Sequence, residues 1–469
     1  MGAHHETGFA GRFVITGFGS VGQGVLPLLL RHIDMRPEQI TVVKAHADDL
    51  DVADEFGVRT IVAEIDRDNV RQTLEPLLGS GDFLLNLSVD VSSTALIQLC
   101  RERGALYLDT CIEPWPDAFS NTQPPAQRTN YALREAALQL RTPAPGPTAV
   151  LTQGANPGLV SQFVKQALLN IARDTGADDQ RPTSRAEWAA LARRLGVRVI
   201  HVAERDTQFS PARKQPDEFV NTWSVEGFID EGKQPCELGW GSHERHFPRD
   251  GRRHETGCLA AIYLNRPAAS VRVRSWAPLA GPFHGFLITH AESISIADHL
   301  TVGDPAAPDY RPTVHYAYHP CDDAVLSVHE LAARNWCPQA GERLIRDEIV
   351  AGRDELGVLL MGHARSAYWY GSQLTIDEAR RLCPYNNATS LQVSAPVMAG
   401  VVWAIGNPSM GVVEPDDLPF EEILRVCQPY LGPVVGVYSD WTPLAGRGQL
   451  FDEDLDHDDP WQFKNFRVV

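Results

Sequence analysis

Three sets of residues in this chain have the type and spacing to do chemistry. The first is Gly17-Phe18-Gly19-Ser20-Val21-Gly22, which follows the apolar run Phe13-Val14-Ile15-Thr16 and opens a helical segment reaching about His32. In a strand–turn–helix of this kind Gly17 allows a tight turn, Gly19 lets the backbone approach a pyrophosphate, and Gly22 lets helix and strand pack closely. Ser20 and Val21 start the helix, where free N–H groups and the positive dipole end meet phosphate charge. A nicotinamide or flavin dinucleotide is the ligand expected there. The second set lies where successive strands end: Asn86, Ser88 and Asp90, then Asp109-Thr110-Cys111-Ile112-Glu113, then Gln153-Gly154-Ala155-Asn156-Pro157-Gly158. Each is also an ordinary turn or cap sequence, but a doubly wound sheet gathers its strand ends around a ligand. The third is Phe286 to Ile296, where His290 and Glu292 share a face with Ile288 and Ile294 if the run is a strand. Ionisable groups on an apolar face need partners, so they form either a satisfied internal pair or part of a lined pocket.

The elements that must position these residues alternate along the first third of the chain. Strands are expected at 40–43, 59–63, 83–87, 105–108 and 149–152, and helices at 51–56, 67–78, 93–103 and 126–141. Such alternation predicts an α/β fold with a Rossmann-type, doubly wound parallel sheet. From about residue 156 the texture changes to strand-like runs at 197–203, 222–227, 258–264, 271–276, 286–296 and 313–318. They predict a second, α+β domain with a mixed or antiparallel sheet. The small-residue stretch Ser390 to Gly400 reads as a helix returning to the first domain. The expected division is residues 1–155 with a return segment 386–415 for the dinucleotide, 156–385 for substrate binding and dimerisation, and 416–469 as an extension packing on the core.

Composition limits the partners. With 60 acidic against 42 basic residues and a net charge of −18, the chain is unsuited to nucleic acid or an anionic membrane surface and compatible with a cationic substrate. No apolar run in the sequence reaches about 18 residues, so no membrane span is expected. Met1 to Gly11 has no apolar signal core, so a cytoplasmic location is expected. The eight cysteines include no C-x-x-C pair, so neither a metal site nor a disulfide framework is expected. At the end of the second strand, where an acidic residue ordinarily binds the adenosine ribose, stands Lys44-Ala45-His46 with Asp48 and Asp49 slightly later. This segment leaves NAD against NADP open.

The opening fingerprint, Tyr107-Leu108-Asp109-Thr110, Gly154-Ala155-Asn156-Pro157-Gly158 and the segment Ser390 to Gly411 resemble the saccharopine dehydrogenase-like superfamily. Within it, the stretches Asn86 to Asp90, Leu108 to Trp115 and Asn221 to Phe228 are similar to the bacterial homospermidine synthases. The resemblance spans nearly the whole chain. It implies a homodimer that uses tightly bound NAD to join two putrescines, with spermidine as a second conceivable donor, into sym-homospermidine with release of ammonia. The hydride is removed early and returned late, so there is no net redox change. It implies that Gly17, Gly19, Ser20, Val21, Gly22, Asn86, Ser88, Asp109 and Thr110 hold the cofactor. Trp223 would face the iminium-like intermediates, Glu204 would anchor or deprotonate an amine, and Asn156 would hydrogen-bond the amine or the nicotinamide amide. Glu113, Glu231, His290 and Glu292 would bind the distal ammonium or relay protons. An alternative within the superfamily is a net saccharopine or carboxyspermidine dehydrogenase, whose carboxylate-bearing substrates call for a basic pocket. A dinucleotide-sensing regulator without catalysis is the alternative of another class.

Overall fold

A computed structural model describes residues 5–116, 123–177 and 180–468, which form two compact units. The first comprises residues 1–128, 132–159 and 376–431, and the second comprises 129–131, 160–375 and 432–469. The return segment is thus longer than 386–415, and the residues beyond 415 divide between the two units.

The first unit is built on a seven-stranded, wholly parallel sheet. Its order is Met410–Val413, Gly146–Val150, Leu106–Asp109, Phe83–Asn86, Phe13–Thr16, Ile40–Lys44 and Arg59–Val62. Strands Phe13–Thr16, Phe83–Asn86 and Leu106–Asp109 are buried at every position, as a sheet covered on both faces requires. Phe13 and Phe83 are cross-strand partners whose rings stack 5.0 Å apart.

Helix Ser20–His32 follows the glycine turn and packs against helix Ala388–Gly406. Small residues decide that contact. A Cβ on Gly24 would lie 2.3 Å from Asn386 Oδ1 and 2.9 Å from Ser394 Oγ, while Gly400 serves the helix's packing on the sheet, where a Cβ would lie 2.8 Å from Leu108. The helix Ala388–Gly406 is, contrary to the sequence expectation, long and apolar enough to cross a membrane by length and composition, but 89% of its apolar window is buried inside the structure. It is a core helix.

The second unit carries an eleven-stranded mixed sheet. Strand Val199–Asp206 runs parallel to Thr313–His319 on one side and antiparallel to Arg353–His363 on the other. Arg353–His363 continues into the long hairpin with Ser366–Thr375, and Val434–Ser439 adds to that hairpin. Two expected strands are corrected. Residues 222–227 do not form one: strand Glu218–Asn221 ends before Thr222, Ser224 caps with its side chain on Gly227 N, and Val225–Lys233 is a helix burying Val225, Phe228, Ile229 and Gly232. Residues 286–296 also differ, because strand Gly281–Phe286 gives way to helix Ala291–His299. Every residue of that helix is buried, so its sequence carries no polar face to mark a helical period, and the spacing of Ile294 and Ile296 imitates strand alternation.

The glycine turn yields a stability prediction. Gly17 has φ +78°, and a Cβ there would lie 2.5 Å from the carbonyl oxygen of Leu87. Both strain and overlap oppose a side chain, so Gly17→Ala should lower unfolding stability by about 1–3 kcal/mol in urea titrations monitored by circular dichroism.

Candidate active site

In the first unit the polar residues at the strand ends are tied to one another. Thr16, Asn86 and Asp109 are direct cross-strand neighbours in the sheet register. Asn86 Oδ1 accepts from Thr16 Oγ1 at 2.8 Å and from Ser88 Oγ at 2.6 Å, while Asn86 Nδ2 donates to the Tyr107 hydroxyl at 3.3 Å. That hydroxyl donates to Asp109 Oδ2 at 2.8 Å, and Thr152 N donates to Asp109 Oδ1 at 2.6 Å. Asp109 is fully enclosed, and burial pushes its carboxyl up to about 7 despite these bonds. The network therefore sets the shape of the sheet's carboxyl edge. Gly19, the exposed N-cap of helix Ser20–His32, would carry a Cβ with nothing within 4 Å. Ser20 and Val21 are half-buried behind it.

Glu113 sits beside the start of helix Ser93–Arg103, its Oε1 accepting from Cys111 Sγ at 3.0 Å and its backbone N–H donating to Ser93 Oγ at 3.0 Å. Thr110 and Asn156 are half-buried in the loops after their strands. The Asn156 loop is pinched shut. Gly154 N donates to Pro157 O at 2.8 Å, and a Cβ on Gly158 would lie 2.1 Å from Gly154 O.

In the second unit the period-2 geometry of two strands places Glu204, Asp206, Tyr316 and Tyr318 on one face of the sheet. Glu204 does not close its strand, as expected, but lies inside it, because pairing continues to Asp206. Its Oε2 accepts from the Tyr316 hydroxyl at 2.6 Å, and Asp354 on the neighbouring strand hydrogen-bonds it as well. A carboxyl-to-carboxyl bond requires one shared proton. Burial raises the pKa of both Glu204 and Asp206. Asp206 Oδ2 accepts from Thr222 Oγ1 at 2.8 Å, which anchors the turn bearing Trp223. Trp223 Nε1 donates to the Tyr318 hydroxyl at 3.0 Å, with the Phe228 ring 5.6 Å away. The rings of Tyr316 and Tyr318 stack 5.1 Å apart.

His290 is the N-cap residue of helix Ala291–His299 and Glu292 is in its first turn. They meet around that turn, not by strand alternation. His290 Nδ1 lies 3.3 Å from Glu292 Oε1, and its Nε2 lies 3.0 Å from Glu231 Oε2. Burial alone would lower the His290 pKa, but the two carboxylates outweigh it and hold the ring well above 6.5, as an imidazolium. Burial raises Glu231. Glu292 Oε2 is buried with no hydrogen-bond partner among the described residues. His290 stacks at a tilt 4.6 Å from Tyr316, which joins this triad to Glu204 and, through Tyr318, to Trp223.

All five residues expected in the second unit thus belong to one connected cluster. Sequence reasoning missed Asp206, Tyr316, Tyr318 and Asp354. Their signal was available in part: Glu204-Arg205-Asp206 and Tyr316-Ala317-Tyr318 are both i, i+2 pairs in strand-like runs, which place like groups on one face. The cluster is acidic and aromatic, with one imidazolium held between two of its carboxylates. Such a cluster can bind ammonium groups, accept a proton from one, and present an indole face to a carbon-centred cation.

Comparison with known proteins bears on both halves. Residues 13–150 match the saccharopine dehydrogenase NADP binding domain, and residues 154–437 match the saccharopine dehydrogenase C-terminal domain. The chain is 55% identical to a homospermidine synthase of Blastochloris viridis over 464 residues, covering 98% of this chain and 97% of that protein. It is 50% identical to a homospermidine synthase of Mesorhizobium japonicum, covering 98% and 96%. The crystal structure of a Legionella pneumophila homospermidine synthase in complex with NAD superposes with a TM-score of 0.93 at 52% identity, covering 98% of each chain. A saccharopine dehydrogenase (L-Glu forming) of Saccharomyces cerevisiae shares the fold at 11% identity, with a TM-score of 0.50 over 92% of this chain and 100% of that one. With identity at this level along almost the entire length, the chain belongs to the homospermidine synthase family.

Proposed function

We propose that this protein is an NAD-dependent homospermidine synthase, which converts two putrescines to sym-homospermidine and ammonia. The observation that carries the reading is the acidic, aromatic cluster around Trp223, Glu204 and the Glu231–His290–Glu292 triad, together with membership of the family. A homodimer and a cytoplasmic location accompany the reading, as the family resemblance implies.

The dinucleotide residues fit their ligand. Gly19 leaves open the space a side chain would fill, at a helix N-terminus whose N–H groups suit phosphate. Gly17, Ser20, Val21, Gly22, Ser88 and Thr110 would hold the cofactor with it. Asn86 and Asp109 spend their polar atoms on Thr16, Ser88, Tyr107 and Thr152, so they act by ordering this edge. Lys44 donates to the backbone oxygen of Asp48 at 2.5 Å and to its carboxylate at 3.2 Å. That engagement, with Asp49 beside it, favours a ribose hydroxyl over a 2′-phosphate and hence NAD. When bound, NAD supplies a hydride acceptor for the amine carbon and a donor for the final imine.

The remaining work falls to the chain's own side chains. Glu292 Oε2, an orphaned buried acceptor, and Glu231 take the distal ammonium of putrescine, and His290 keeps their mutual repulsion in check. The reacting amine must be neutral before its carbon is oxidised, and Glu204, whose pKa burial raises to about 7, accepts that proton near neutral pH with Asp354 beside it. Trp223 offers a π face to the iminium, worth roughly 0.5–2 kcal/mol, without forming a competing bond. The second putrescine then attacks the iminium carbon through an amine that has already given up its proton: the new C–N bond forms, the new nitrogen passes one proton to the old one, the old C–N bond breaks, and the departing ammonia takes up the proton held by Glu204. Asn156 and Glu113 lie in loops of the first unit, and for them a role toward the amine is what the family resemblance implies. Exclusion of water matters, because free aminobutanal would cyclise and strand the reduced cofactor.

Incubation with putrescine and catalytic NAD should yield homospermidine and ammonia in equal amounts by mass spectrometry and ammonia assay, with spermidine tried as a second donor. NADH accumulating in step with product would instead indicate a net dehydrogenase. In this assay Trp223→Ala should lose about twofold to thirtyfold of the rate while retaining NAD affinity. Tyr316→Phe removes a hydrogen bond that favours ionised Glu204, so its pKa rises and the acid limb of the pH–rate profile should move up by about one pH unit. Gly19→Ala should keep wild-type thermal stability but weaken NAD binding about tenfold or more by calorimetry.

A further inference from the structure

The alternation that collects carboxylates on one face of the second unit's sheet collects cations on the other. Arg205 lies between Glu204 and Asp206 in sequence, so its side chain leaves the opposite face. In register, His319 is its neighbour on one side and Glu355 on the other. These three, with Arg353, Thr207, His284, Phe283, Leu279 and Ala280, line an open cleft of about 590 Å³. The volume lies within the range of small-molecule sites, roughly 300–1,000 Å³.

The charge balance of the cleft is the reverse of the chain's. Its single carboxylate, Glu355, is already engaged: Oε1 accepts from Leu279 N at 3.0 Å and from Gln373 Nε2 at 2.9 Å, and Oε2 accepts from Ala280 N at 3.2 Å. Arg205 is held by Asp322 and by two backbone carbonyls, which fix its guanidinium in place while leaving it further N–H groups. Arg353 makes no side-chain ion pair among the described residues. His284 Nε2 accepts from the guanidinium of Arg274 at 3.0 Å, so a third guanidinium stands immediately behind the cleft, and its Nε is buried without a hydrogen-bond partner among the described residues. Two guanidinium groups line this opening and a third, that of Arg274, stands behind them, in a chain of net charge −18. Burial and the nearby arginines keep His284 and His319 neutral, and the carboxylates that face these cations are Glu355 in the lining and Asp322 on Arg205. Like charges gathered in this way repel unless a counter-charge joins them.

We propose that this cleft is a binding site for a small organic polyanion, one whose phosphate or carboxylate groups bridge Arg205 and Arg353 with an apolar portion against Phe283 and Leu279. Guanidinium forks match either group in bidentate geometry. The site is separate from the amine cluster, because the two use opposite faces of the same strands.

The test is titration calorimetry on the full chain saturated with NAD, so that the dinucleotide's own phosphate site is filled. Pyrophosphate and citrate serve as probes for phosphate and carboxylate ligands, and putrescine serves as a cationic control. One site per chain is expected, with a dissociation constant at or below about 1 mM at low salt and weaker binding at 0.5 M salt. Arg353→Gln should reduce that affinity about tenfold or more while leaving NAD affinity and the thermal midpoint unchanged. Binding of pyrophosphate alone would assign phosphorylated ligands, and binding of citrate alone would assign polycarboxylates. Failure of both probes to bind up to about 10 mM, or wild-type affinity in Arg353→Gln, would overturn the proposal.

Discussion

Holding carboxylates out of water is the constraint on which the second unit depends. An ionised carboxylate moved into a low-dielectric interior loses several kcal/mol of hydration unless hydrogen bonds or a counter-charge replace the water. Glu204 receives the Tyr316 hydroxyl and shares a bond with Asp354, Asp206 receives Thr222 and Gln208, and Glu231 and Glu292 flank His290. The partners in these bonds are hydroxyls, amides, a carboxyl and an imidazole, and Arg205 acts on Asp206 only through its charge. These carboxylates are stabilised enough to remain in the fold, and burial leaves Glu204, Asp206 and Glu231 with raised proton affinity. That combination makes them acceptors for an amine's proton and its charge.

The reverse face of the same strands explains why no counter-charge reaches Glu204 from behind. Ala203 and Ala317 are small, and His201 and His315 pack 4.0 Å apart within a hydrophobic core that includes Phe463 and Phe466. Burial lowers the pKa of both histidines, so they remain neutral. Charge returns to that face only toward the strand ends, at Arg205, His319 and Arg353. The sheet is therefore an insulating layer along much of its length, with acid on one surface and base confined to one end of the other. Strand period alone, with no extra element, produces this separation.

Much of the first unit was legible in the sequence because its signals are local. Helix Ser93–Arg103 begins at a serine cap and ends at Gly104 with φ +74°, both visible as residue types, and the fingerprint glycines announce their turn. In the second unit legibility failed where burial was total. Helix Ala291–His299 has no solvent face, and at 222–227 the Ser224 cap that opens helix Val225–Lys233 lies inside a run that also suits a strand. Trp223 and Glu231 came from resemblance to a family, while His290 and Glu292 stood out through a strand alternation that the structure replaces with a helix start. Their convergence depends on contacts 59 residues apart in sequence for Glu231 and His290, and 95 for Trp223 and Tyr318. No local pattern encodes such pairings.

The absence of basic side chains from the Trp223 cluster has a further chemical consequence. A lysine or arginine paired with Glu204 would hold the carboxylate ionised at low proton affinity and would repel each cationic species along the reaction. An indole avoids both effects, since its quadrupole attracts a cation while contributing no charge of its own. The imidazolium of His290 does not contradict this logic, because it is enclosed by Glu231 and Glu292 and the three groups together carry net negative charge. A substrate bearing a carboxylate would meet that charge without a guanidinium to offset it, whereas a diamine brings its own counter-ion at either end. Discrimination between amines and amino acids on this shared fold therefore resides in which residues were left uncharged as much as in which were charged.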